Sequence, residues 1–161
     1  MKKVLKTLLL VCMVLIAASL PVYATPPTEV SGIFDLEEIV YTDMRTVGTN
    51  TFIYGTDVEV WQGDLVGVGE TEWVVTAHAS GVVNFSSRGV FTGTVLDSDE
   101  GTMEYQLTGQ IPPGGDEWYG QWVILGGTGG LANVHGQGTW WGPGMGFDPD
   151  HWYEGQVHFD P

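Results

Sequence analysis

From about residue 30 to the end of this 161-residue chain, apolar and polar side chains alternate with a period of two, in segments of about 8 to 12 residues bounded by Gly, Pro, Asn and Asp. Helical periodicity is absent. Alternation of this kind puts one set of side chains on each face of a strand, and many short strands at even spacing build a sandwich or a barrel. Eight strands are expected, near 30–41, 50–61, 64–77, 82–96, 102–111, 118–126, 131–141 and 151–159. The segments between them suit successive hairpins, among them Gly48-Thr49-Asn50, Gln62-Gly63-Asp64, Ala79-Ser80-Gly81, Asp97 to Gly101 and Pro112 to Asp116. No repeat of 20 to 50 residues is visible, which argues against a propeller or solenoid.

Sorting each strand by parity yields one set that is either bulky or very small. Its large members are Tyr54, Trp73, Phe85, Phe91, Tyr105, Trp118, Trp122, Trp140 and Tyr153, interleaved with Gly67, Gly69, Gly89, Gly93, Gly120, Gly138 and Gly155. A strongly curved sheet needs glycine where strands crowd and large rings to fill its lumen, so the pattern favours a closed barrel over a flat sandwich. On the second strand the inward set reads Phe52, Tyr54, Val58 and Val60, leaving Asp57, Glu59 and Trp61 outside with Glu70, Glu72, Glu104, Trp141, Trp152 and Glu154. Glu38 is then the one acid of inward parity. The expectation is an all-β chain with a single eight-stranded antiparallel barrel.

The first 24 residues read differently. Lys2, Lys3 and Lys6 precede an apolar run from Leu8 to Leu20, Pro21 breaks it, and Val22-Tyr23-Ala24 offers a peptidase site: the three parts of a secretory signal peptide. The run is shorter than the roughly 18–20 residues that cross a bilayer, so a permanent anchor is disfavoured. Residues 25–29 then form a short tether and 30–161 one domain. Beyond the leader only Arg45 and Arg88 face all 20 carboxylates, a net charge of −18. Binding phosphate backbones or anionic lipid heads depends on Lys and Arg, so neither nucleic acid nor a membrane is an expected partner of the mature form. The single cysteine, Cys12, lies in the leader, which removes disulfides and a thiolate nucleophile from the exported part.

The segment Gly126-Gly127-Thr128-Gly129-Gly130-Leu131-Ala132-Asn133-Val134-His135-Gly136 resembles the Gly-Gly-Thr-Gly hairpin of allene-oxide-cyclase-like barrels, the group that includes plant dirigent proteins. The surrounding plan is similar to an uncharacterised bacterial family of that superfamily, through Gly32-Ile33-Phe34, Gly63 to Gly69, Phe91-Thr92-Gly93-Thr94-Val95 and Tyr153-Glu154-Gly155-Gln156-Val157. The resemblance implies an eight-stranded barrel that cyclises or steers reactive apolar molecules without a cofactor, and a homo-oligomer. Plant cyclases of the group are associated with a pocket glutamate and dirigent proteins with pocket aspartates, but no functional residue carries over by motif.

Four histidines, His78, His135, His151 and His158, lack the tight local spacing of a zinc site, so no metal is expected, although paired seventh and eighth strands would make His135 and His158 neighbours. The acidic turns Asp97 to Gly101 and Asp148-Pro149-Asp150 do not follow an EF-hand loop. No Gly-x-Ser-x-Gly elbow occurs. What remains is an exported barrel holding a small apolar molecule among the nine large inward residues named above. The alternatives are a surface module binding carbohydrate or protein through Trp61, Trp141 and Trp152, and a structural barrel with a filled core.

Overall fold

The computed structural model describes residues 26–144 and 151–161. The leader and the Asp148-Pro149-Asp150 turn lie outside them. Eight strands run β1 (Thr28–Val47), β2 (Asn50–Gly63), β3 (Leu65–Ala77), β4 (Val83–Val95), β5 (Gly101–Ile111), β6 (Glu117–Gly129), β7 (Val134–Pro143) and β8 (His151–Phe159). Each pairs antiparallel with the next, and β8 returns to pair with β1, which closes the ring. Consecutive pairing follows from connections too short for anything but hairpins.

β1 runs past the residues that close the ring. β8 pairs with it only from Thr28 to Phe34, while β2 follows it to Val47 through register shifts between Glu37 and Val40 and between Tyr41 and Asp43. Such bulges bend a strand and increase its twist, so the second half of β1 swings over one end of the ring. Glu38 sits in the first bulge, exposed and at φ 33°, and points to solvent instead of into the lumen.

On every strand but β2, and apart from Glu38 on β1, the inward residues are those that the alternation marks. Glycines make the curvature workable: a Cβ on Gly120 would lie 2.3 Å from Trp140 Nε1, and one on Gly138 would lie 2.5 Å from Trp122 Nε1. Each bulky ring therefore fills the dent left by a glycine on a neighbouring strand. One end of the ring is plugged by aliphatic side chains, with Leu65, Val95, Leu131, Val134 and Val157 no more than 1% exposed. In the Gly-rich hairpin Gly129 takes φ 63°, and Gly127 is crowded, since a Cβ there would meet Leu131 O at 2.1 Å. The requirement at Gly127 is one of space, not of left-handed backbone.

β2 reverses the expectation. Gly55, Asp57, Glu59 and Trp61 are buried, whereas Phe52, Tyr54, Val58 and Val60 lie on the outer face. Tyr54 is therefore removed from the inward set; its hydroxyl accepts a hydrogen bond from Arg45 Nη2 at 2.5 Å on the outside. Trp61, 3% exposed, enters the lumen, where it stacks on Phe34 at 4.7 Å and meets Phe91, Tyr105 and Tyr153. The cause lies in register. Trp61 is directly opposite Gly67, and directly opposed residues share a face of the sheet.

Candidate binding pocket and its buried carboxyls

The reversal of β2 carries two acids into an aromatic interior. Glu59 is 1% exposed, and its Oε2 accepts hydrogen bonds from Trp61 Nε1 at 3.0 Å and from the Tyr105 hydroxyl at 2.6 Å. Gly69 makes that geometry fit: a Cβ there would fall 2.1 Å from the Tyr105 oxygen. Burial pushes the Glu59 carboxyl up to about 8, and the neighbouring charge of Asp57 adds to the shift, while the two donors oppose it. Burial raises Asp57 as well, opposed by the hydroxyl of Thr71, which donates to Asp57 Oδ1. Tyr105 is driven far above the ordinary phenol range, first by burial and then by Glu59. At neutral pH the Glu59 carboxyl therefore holds a proton that water would have removed.

Asp57 also faces open space. A pocket of about 180 Å³ lies at the end of the ring over which β1 bends, walled by Leu36, Ile39, Trp73, Val75, Phe85 and Trp118. Tyr41, edge-on to Trp73 at 5.6 Å, helps to cover it, and His151, stacked on Phe34 at 5.1 Å, contributes an imidazole. Among the described residues the Nε1 of Trp73 is buried without a hydrogen-bond partner, as is the Oγ of Ser87 opposite it on β4. A buried donor left unpaired is costly.

The sequence-derived residues thus divide into three. Trp73, Phe85 and Trp118 line the pocket. Phe91, Tyr105, Trp122, Trp140 and Tyr153 are buried among one another deeper in the lumen and fill it. Their polar tips are engaged: Trp122 and Trp140 donate to the Glu154 and Thr108 carbonyls at 3.1 and 3.0 Å. The Tyr153 hydroxyl accepts from Leu65 N at 2.9 Å and donates to Gln62 O at 3.3 Å. Tyr54 stands outside. Sequence reasoning missed Asp57 and Glu59, and with them the acidic character of the interior.

The remaining candidates lie on the surface. His135 and His158 do meet, stacked at 5.2 Å, and both approach Asp160, at 3.2 and 3.7 Å. Among the described residues no group of three or more metal-ligating side chains is placed to hold an ion. His78 shares a hydrogen bond with the Asn84 amide at 2.8 Å.

No family model matches the chain, and no curated protein matches it. Among solved structures it is similar to a protein of unknown function from the DUF3224 family of Shewanella oneidensis MR-1. The likeness has a TM-score of 0.68 at 18% identity and covers 84% of this chain and 98% of that one. At this identity the likeness establishes a shared fold: eight antiparallel strands in a closed ring.

Proposed function

We propose that the protein is an exported barrel of the allene-oxide-cyclase-like type whose end pocket holds a small, mostly apolar molecule, with Asp57 as its polar anchor. The observation that carries this reading is a buried carboxyl, raised in pKa, facing a cavity whose walls are otherwise largely aromatic and aliphatic. Ligand pockets combine apolar walls with a few fixed polar groups, and a titratable group perturbed by desolvation marks functional sites. Size narrows the ligand class. A dry cavity of roughly 150 Å³ accommodates benzene, so about 180 Å³ suits a small cyclic molecule and is too small to take in a long acyl chain whole. A protonated Asp57 donates a hydrogen bond to a carbonyl or hydroxyl oxygen of such a ligand, and it is the group from which a proton would pass in any rearrangement.

Titrating camphor, menthol and palmitate against tryptophan emission tests the reading. The two ring compounds should shift the emission and palmitate should not. Asp57→Asn should change camphor affinity by less than threefold, because its amide still donates, whereas Asp57→Ala should weaken it about tenfold through the lost hydrogen bond. Camphor binding should also weaken as pH rises through the raised Asp57 pKa, in wild type only. If no ring compound shifts the emission, the second reading stands, a structural barrel with a filled core, which the close packing of Trp61, Trp122, Trp140 and Tyr153 favours.

Export rests on the leader and on the absence of cysteine after Cys12. Sequencing the protein from culture medium or an extracytoplasmic fraction should read Thr25 first. Full-length chain in the membrane fraction would overturn the cleavage.

A further inference from the structure

The outer wall from β5 to β8 carries a feature the pocket does not use. Tyr119, Trp141 and Trp152 occupy directly opposed positions on β6, β7 and β8, and the two indoles lie 6.5 Å apart with their planes within 17°. Tyr119 is 56% and Trp152 42% exposed. Trp141 between them is half-buried and stacked on Trp152, so the row keeps part of its aromatic surface in water, where large exposed apolar patches mark binding sites. One step along the same strands the next opposed row reads Gln121, Thr139, Glu154, and the step after that Val123, Gln137, Gln156. These rows border a groove of about 430 Å³, its floor formed in part by Gly138 and Gly155.

In a chain whose exported part carries a net charge of −18, this wall is mainly amides and hydroxyls. We propose that it binds a neutral oligosaccharide. Pyranose rings laid across the strands would meet the row of Tyr119, Trp141 and Trp152 with their C–H faces. A side-chain amide both donates and accepts, so Gln121, Gln137 and Gln156 match vicinal hydroxyl pairs, which likewise do both. A single-sign surface charge argues against anionic glycans, which the acidic protein repels. An apolar partner protein would gain little from a row of amides that it must desolvate. The surface is separate from the end pocket and stands or falls without it.

Affinity electrophoresis of the purified protein through gels containing hydroxyethylcellulose, xylan or polygalacturonate tests the proposal. One of the two neutral polymers should retard wild type and polygalacturonate should not. Trp141→Ala and Trp152→Ala should each weaken the retardation at least tenfold, and Gln137→Ala about threefold, while Asp57→Asn leaves it unchanged. Equal thermal midpoints for wild type and the indole variants show that the loss is one of binding. Absence of retardation by both neutral polymers overturns the proposal. So does a wild-type dimer in sedimentation that Trp152→Ala dissociates, because the wall is then an interface between copies.

Discussion

Glu59→Gln is expected to make the protein more stable at pH 8 than wild type, by on the order of 4 kcal/mol, and to flatten its stability between pH 4.5 and 8. The sign follows from proton binding. In the unfolded chain Glu59 ionises at about 4.5, and in the folded protein it holds its proton up to about 8. Between these values the native state binds more protons, so unfolding free energy falls as pH rises, by roughly 1.4 kcal/mol per unit at the most. Below 4.5 both states are protonated and the contribution is complete; above 8 the native state must bury an anion and the contribution is gone. Glutamine mimics the neutral acid, keeps an oxygen for Trp61 and Tyr105, and never ionises. Repulsion among the other carboxylates also weakens the protein as pH rises, but it acts on both proteins and cancels in the difference. Urea unfolding of the two at pH 4.5, 6 and 8 is the measurement, with a gap that opens as pH rises. Parallel curves would mean that Glu59 is hydrated or ionised in the native state, and the proton-holding interior would have to be abandoned.

The strands and their order were legible because period two and turn residues are local signals. β4, β5 and β8 lie within a residue of their expected ranges, and β1 extends six residues past its expected end because two bulges let it leave the ring. The interior acids were not legible, and β2 shows why. Both of its parities are partly apolar, and two carboxylates weigh heavily toward the solvent side unless their partners are in view. Those partners are remote: Tyr105 reaches Glu59 from 46 residues away and Thr71 reaches Asp57 from 14. A cue was nonetheless present. Gly55 and Trp61 share the parity of the acids, repeating the small-and-bulky pattern of every other strand, and the tight Gln62 to Asp64 connection sets Trp61 opposite inward Gly67. The pocket depends on how far the inward aromatic rings interpenetrate, which no pattern of residues along one strand expresses.

Trp61→Ala is expected to cost about 3–5 kcal/mol, a large share of an ordinary domain's stability, whereas Tyr54→Ala should cost under about 1 kcal/mol. An outward Trp61 and an inward Tyr54 would produce the reverse order, so the pair tests the face of β2 directly. Trp61 is the hub of the lumen, within 6.3 Å, centroid to centroid, of the rings of Phe34, Phe91, Tyr105 and Tyr153. Its removal leaves a cavity that rigid strands cannot close, because each is held by ladders on both sides. It also strips Glu59 of a donor, which raises the cost of ionising that acid further. The destabilisation should therefore be larger at pH 8 than at pH 5, a coupling that a packing defect alone would not show. Trp61→Phe retains most of the ring volume and loses the indole N–H, so it should recover much of the stability at pH 5 and less of it at pH 8. Thermal or urea unfolding of the three variants at both values separates volume from hydrogen bonding. A Trp61→Phe loss independent of pH would detach Trp61 from the carboxyl and leave it as packing alone.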